Sequence, residues 1–151
     1  PAPVIIFISL LLIFQCVLSK TSFGRKVYAI GGNKNASYLA GIPVDRIKII
    51  AFILCSMLSA VAAMIHAAQI SQGGPNEGIG YELNAVAACA IGGTSLAGGK
   101  GTMIGTLVGA IILGLLDNVL GLKGVNSNLQ LMVKGLIIIV AVFMQSERKA
   151  D

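Results

Sequence analysis

A chain of 151 residues carries 11 basic and 6 acidic side chains, so only 11% of it is charged while 56% is apolar, and its mean hydropathy is +0.88. A soluble domain carries about a quarter charged residues, and so few charges cannot form its polar shell, which excludes an ordinary soluble enzyme. Disorder is excluded by the same apolar content. The length fits one domain. Pro1 stands where a Met would, and an apolar run starts at once, which predicts a fragment. Trp is absent and Gly supplies 19 residues with no collagen-like period. Apolar, glycine-rich composition of this kind is typical of multi-span membrane proteins. Cys16, Cys55 and Cys89 are isolated in apolar runs without metal or redox spacing and read as small buried hydrophobes. The expected fold is therefore all-α, a polytopic membrane helix bundle.

Five apolar segments follow in chain order. Residues 1–19 hold no charge; they lack the basic n-region and small-residue cleavage site of a signal peptide, so they read as a span. Residues 20–48 form a long polar connection. Residues 49–70 hold no formal charge and are long enough for a hydrocarbon core of about 30 Å. Residues 83–97 are apolar but short and contain Gly92 and Gly93, so they form either a short span or a re-entrant, broken helix lining a cavity. Residues 102–120 and 129–144 complete the set, the last containing Lys134.

Charge placement gives an orientation. The connection 20–48 holds Lys20, Arg25, Lys26, Lys34, Arg46 and Lys48 against the single acid Asp45, whereas residues 71–82 hold Glu77 and Glu82 and no base. The Lys/Arg excess marks the cytoplasmic side. The first connection is thus expected inside and the second outside, with Lys100 inside, 117–128 outside, and the tail 146–151, with Arg148 and Lys149, inside. The net charge of +5 reads as topology. A nucleic-acid partner is not expected, since no basic face interleaves with aromatics.

The connection is longer than most structureless loops. Asn33 or Asn35 can cap a short helix. Ala36, Leu39 and Ala40 then share one face. Gly41 stands where a left-handed residue would end the helix, and Pro43 forbids its continuation. Gly31 and Gly32 free the backbone ahead of it. A helix of two turns is not stable alone. It rests on its own bundle or docks on a partner.

Here the residues reach a family. Phe23-Gly24-Arg25-Lys26-Val27-Tyr28-Ala29-Ile30-Gly31-Gly32-Asn33, followed by Ala36 and Ala40-Gly41-Ile42, resembles the cytoplasmic loop of the permease subunits of bacterial ATP-binding-cassette sugar importers, the ribose, xylose, arabinose and galactose group. Ile91-Gly92-Gly93-Thr94-Ser95-Leu96-Ala97-Gly98-Gly99-Lys100-Gly101 resembles that family's glycine-rich run, and Val133-Lys134-Gly135 its last helix. The likeness runs through the whole chain in order and implies the C-terminal half of such a permease. It implies a translocation subunit in the bacterial inner membrane, with ATP hydrolysis on a separate cytoplasmic ATPase subunit. Its other implied partners are a second permease subunit, expected as a homodimer, a periplasmic or lipid-anchored sugar-binding protein, and membrane lipid. No cofactor or metal is implied. By matching motif, Gly24, Arg25, Asn33, Ala36, Gly41 and Ile42 belong to the loop that couples to the ATPase, and Leu39 is its candidate apolar knob.

The glycine-rich run is not a P-loop. Counting back from Gly99-Lys100, the required first glycine falls on Thr94, and Gly101 follows the lysine instead of Ser or Thr. A glycine bend between membrane helices accounts for it better. Gly101, Gly105 and Gly109 recur every four residues, a packing pattern for close helix crossing; Ser59, Ala63 and Ala67 make a weaker stripe of the same kind.

Polar residues within spans are costly if they face lipid. His66 and Gln69 share a face near the outer end of the second span; they snorkel or bond across helices, or they line the sugar path. Lys134 snorkels along its stem, or pairs with Asp117 or a backbone carbonyl, or also lines the path. Asp117-Asn118 most simply marks the end of the fourth span. Glu77 and Glu82 are solvated acids or contacts for the sugar-binding protein. Catalysis has no candidate residue, with one His and no carboxylate pair in a polar site. An ion-coupled secondary carrier would need ionisable groups at mid-membrane, and the spans offer only Lys134 and Asp117, toward their ends. A purely structural subunit would not need the long loop. Branched-chain amino-acid permeases share the Gly-Arg lead-in and the Ala…Gly-Ile loop and are the rival within the transporter class. Gly31-Gly32-Asn33 resembles the sugar group more.

Overall fold

The computed structural model describes residues 1–147. These form seven α-helices, and no strand occurs among the described residues. The tail expected inside lies outside the described residues from Arg148 onward. The chain divides into two compact units, Pro1–Gly78 and a second beginning at Ile79.

The first unit opens with α1 (Ala2–Lys20), apolar along its length and without a buried residue. Pro1 and Pro3 precede or begin it, where amide donors have no intrahelical partner to lose. Thr21 is extended and its hydroxyl accepts from Gly24 N at 3.3 Å, capping α2 (Ser22–Gly32). Gly24 is buried against the carbonyls of Val17 and Leu18, so closely that a Cβ would collide with them. The sharp α1–α2 corner thus requires glycine there.

Helix α2 departs from expectation. Gly31 and Gly32 do not loosen the backbone but end a helix of 11 residues. Phe23, Val27 and Ile30 are half-buried and spaced as one helical face. That period outweighs the low helix propensity of the glycine pair.

Asn33 is extended and its side chain accepts from Ala36 N at 3.0 Å, capping α3 (Lys34–Leu39). Gly41 takes φ +82°. Its N–H donates to Tyr38 O at 3.1 Å, and Ile42 N–H to Ser37 O at 3.1 Å. This pair of bonds is the Schellman arrangement. Helix α4 (Val44–Ile70) then runs for 27 residues, about 40 Å. It begins ahead of the expected span, because Val44 and Ile47 are buried and draw its first turn into the packing of this unit. Ser71, at φ 52°, ends it.

The second unit contains α5 (Tyr81–Ile91), α6 (Met103–Leu122) and α7 (Ser127–Glu147). Its core is Ala87, Ala88 and Leu113, with Ile91, Leu116 and Ile138 packed around them. Small residues let α5 and α6 touch backbone to backbone. A Cβ on Gly109 would strike Ala88 O, and one on Gly105 would strike Gly92 O. Gly101 is not part of this stripe: it precedes the helix, and a Cβ built there would meet the Thr94 side chain at 2.9 Å. Thr102 caps α6 by accepting from Gly105 N at 3.0 Å. Residues 83–97 are not one helix. Helix α5 ends at Ile91, and the rest is a bend in which Gly93, Gly98 and Gly99 take positive φ.

Four helices, α1, α4, α6 and α7, are long and apolar enough to cross a membrane. At about 16 Å, α5 is too short to do so by itself.

Candidate functional site

Two places in the molecule gather the residues singled out by the sequence. The first is the exposed turn around α3. Ala36, Leu39, Ala40 and Gly41 are all exposed, Leu39 to 87%, while Ser37 is buried beneath them. Ile42 is half-buried and Arg25 is exposed. The cap at Asn33 and the left-handed Gly41 fix both ends of a six-residue helix, so the apolar side chain of Leu39 stands on a stiff support. Tyr38 beside it is 69% exposed. The cap at Asn33 and the left-handed stop at Gly41 are as expected.

The second place is a recess of about 260 Å³ in the second unit, where α5 and α7 begin and α6 ends. Lys134 lies on its wall with a side chain only 6% exposed, its Nζ 2.8 Å from Asp117 Oδ1. Snorkelling is thus replaced by ion pairing. An unpaired lysine at the centre of a membrane helix costs roughly 2.5–3.5 kcal/mol, so the pair is what lets Lys134 stay inside. Asp117 does not mark a helix end, since α6 continues to Leu122. The buried Oδ1 of Asn84, nearby, has no hydrogen-bond partner.

The other candidates are separate from these places. His66 Nε2 stands 3.5 Å from Glu77 Oε2, joining the end of α4 to the loop that follows it. Glu77 therefore has a partner within its own unit. Gln69 and Glu82 are exposed. Ser59, Ala63 and Ala67 are exposed on α4, and the Ser59 hydroxyl donates to Cys55 O at 2.9 Å. The cysteines are free; Cys16 and Cys55 are exposed, not buried as expected, because α1 and α4 are bare of neighbours along most of their length. No group of three metal-ligating side chains occurs among the described residues.

Residues 2–142 match the family described as branched-chain amino acid transport system, permease component. The chain belongs to that family. With four helices of membrane-crossing length, it is a multi-pass membrane protein. Sugar permeases are among the proteins it resembles. It is 47% identical to the ribose import permease protein RbsC of Escherichia coli K12 over 149 residues, 99% of this chain and 46% of that one. Against the L-arabinose transport system permease protein AraH of the same strain, identity is 44% over 99% of this chain and 46% of the relative. Against its xylose transport system permease protein XylH, identity is 43%, covering 99% and 38%. The chain thus spans less than half the length of these relatives. No solved structure matches it.

Sequence reasoning missed two polar side chains that the structure places at the glycine bend and the recess. Gln145 reaches from α7 into the glycine bend: its Oε1 accepts from Leu96 N at 3.3 Å, and its Nε2 donates to Thr94 O at 3.0 Å and to Ala90 O at 3.4 Å. Asn84 lies on the recess wall. Both are single neutral amides in apolar helices. The one available signal was that an amide inside such a helix needs a partner.

Proposed function

We propose that this chain is part of the transmembrane subunit of an ATP-driven monosaccharide importer in a bacterial inner membrane. The observation that carries this reading is the 47% identity to a ribose import permease along 99% of the chain. In this reading α3 and its flanks, Gly24, Arg25, Asn33, Ala36, Leu39, Gly41 and Ile42, seat on a cytoplasmic ATPase subunit. The exposed Leu39 supports it, since an isolated apolar knob on a rigid turn suits a partner groove. A second permease copy, a sugar-binding protein and lipid complete the assembly. The chain contributes the path and ATP is hydrolysed elsewhere. The basic connection faces inside, and the Glu77–Glu82 side faces outside toward the binding protein.

The permease containing this chain, reconstituted with ATPase and sugar-binding protein, should take up ribose or a related pentose when ATP is supplied. Leu39→Asp, which places a charge in the apolar contact, and Gly41→Val, which forces a β-branched residue to φ +82°, should each cut uptake at least about tenfold, equivalent to 1.4 kcal/mol, and abolish co-purification of the ATPase while leaving membrane insertion intact. Normal transport by both variants would remove the docking role. Uptake of leucine instead of pentose would move the protein to the amino-acid branch of its family.

A further inference from the structure

The connection between α1 and α4 carries six cations that the fold leaves without counter-charge. Lys20, Arg25, Lys34, Arg46 and Lys48 are exposed and Lys26 is half-buried. Asp45 is the one acid in this stretch. Among the described residues, ion pairs join His66 to Glu77 and Lys134 to Asp117, and neither takes up any of the six. Part of this charge stands at a fixed depth. The apolar run of α1 ends at Lys20, and that of α4 starts at Ile49, directly after Lys48, so both lysines mark the edge of the hydrocarbon. Gly24 lies so close to the carbonyls of Val17 and Leu18 that α2 starts level with the last turn of α1. Helix α2 also packs on α4. Its first turns, with Lys26, are therefore held at the membrane boundary. Each residue turns a helix by about 100°, which puts Lys26 at the edge of the half-buried face of Phe23, Val27 and Ile30 and Arg25 on the opposite side. A lysine in that position lays its stem along the apolar face and lifts its ammonium to the headgroups.

We infer that Lys20, Lys26 and Lys48 form a binding surface for the headgroups of anionic phospholipids of the cytoplasmic leaflet. That leaflet carries the negative surface potential that attracts juxtamembrane cations. Bound lipid would anchor α2, on which α3 packs, and so steady the coupling turn from its membrane side. The ATPase suits these three lysines less well. They stand at headgroup depth, whereas the exposed tip of α3 presents the uncharged Tyr38 and Leu39, and Arg25 remains with that tip. The inference goes beyond the importer reading and takes from it only the side on which the loop lies.

The test uses the permease containing this chain, without ATPase or sugar-binding protein, in phosphatidylcholine vesicles. These carry a trace of spin-labelled phosphatidylglycerol or of spin-labelled phosphatidylcholine, and the fraction of each label immobilised by the protein is measured. Phosphatidylglycerol should be preferred by at least about threefold, and the preference should shrink in about 1 M salt, where the Debye length is ~3 Å. A triple variant, Lys20→Gln, Lys26→Gln and Lys48→Gln, should lose most of it. The matching triple change to Arg keeps the charge and should keep the preference, and Lys123→Gln, in the second unit, should leave it unchanged. Wild-type protein without a preference, a Gln variant with an undiminished one, or an Arg variant that loses it would each overturn the inference. If the Gln variant keeps the lipid preference but no longer co-purifies with the ATPase, the three lysines belong to the ATPase contact instead. Neither sugar nor ATP enters the lipid measurement. Failure of the complete importer to take up pentose would therefore remove the importer reading and leave this result standing.

Discussion

Gln145 shows how far one neutral side chain can organise an apolar unit. It makes three bonds to backbone groups at Ala90, Thr94 and Leu96, some 50 residues away in sequence. Thr94 and Leu96 belong to a stretch that leaves the helical ladder after Ile91 and satisfies its backbone groups only in part. In an apolar environment the shortfall is expensive, so the amide acts as a clamp on the glycine bend. Gln145→Leu should lower the unfolding midpoint by an amount equivalent to about 1–3 kcal/mol. Amide hydrogen exchange should rise in residues 92–101 and stay unchanged in α3. Equal exchange in the bend of both proteins would show that the bend holds itself without Gln145. The His66–Glu77 contact has a different character. His66 is only half-buried and Glu77 is exposed, so water competes for both groups and the contact contributes less to stability.

At the scale of helices, the glycine positions divide by function. Gly41 supplies a conformation, a left-handed φ with nothing near it that a Cβ would touch. Gly105 and Gly109 supply proximity, since their missing Cβ atoms leave room for the carbonyls of Gly92 and Ala88. Gly109→Val should force α5 and α6 apart at the core formed by Ala88 and Leu113. Overpacking of this kind costs typically about 1–3 kcal/mol, and here the obstacle is backbone, which cannot rotate away. The measurable result is a lower unfolding midpoint with loss of the compact second unit to limited proteolysis, whereas Gly114→Val, at a position open on all sides, should be tolerated.

The four long helices and the capped α3 turn were legible because each rests on a local signal: apolar length, Asn33 as cap, Gly41 and Pro43 as stop. Helix α2 was not, because its apolar face at Phe23, Val27 and Ile30 ends in two glycines that read as a break. The core of the second unit was half legible. Glycine spacing announced a close crossing but not its partner, and counted Gly101 into a helix that begins at Met103. The pairing of Lys134 with Asp117 stood among the readings the sequence allowed. The unsatisfied Asn84 oxygen in the same unit did not, since satisfaction is a property of packing and not of a string.

For the molecule as a whole, the decisive issue is how the chain travels through the second unit. Gly80 lies near Leu131, early in α7, and Leu96 meets Gln145, near its end. Helix α5 followed by the bend therefore advances beside α7 for about 14 residues of that helix, or roughly 21 Å at 1.5 Å per residue. A hydrocarbon core is about 30 Å thick, so a helix of three turns plus the glycine-jointed bend covers most of a crossing that neither part could make alone. Backbone groups of the bend are tolerable at that depth because they are turned to protein, to Gln145 and to each other through Ser95 N and Lys100 O at 2.9 Å. Lys100 should then emerge on the side of the basic loop, in keeping with the placement of Lys20, Arg25, Lys26, Lys34, Arg46 and Lys48. The turn at Asn126, between α6 and α7, should emerge on the other. In a permease whose Cys16, Cys55 and Cys89 are replaced by alanine, Lys100→Cys and Leu39→Cys should react with a membrane-impermeant maleimide only in inside-out vesicles. Asn126→Cys should react only in right-side-out vesicles. Labelling of Lys100→Cys only in right-side-out vesicles, with Asn126→Cys labelled only in inside-out vesicles, would make α5 and its bend a re-entrant loop that returns to the side it entered from. The basic loop would keep its place, but the path would then be lined by a hairpin instead of a crossing.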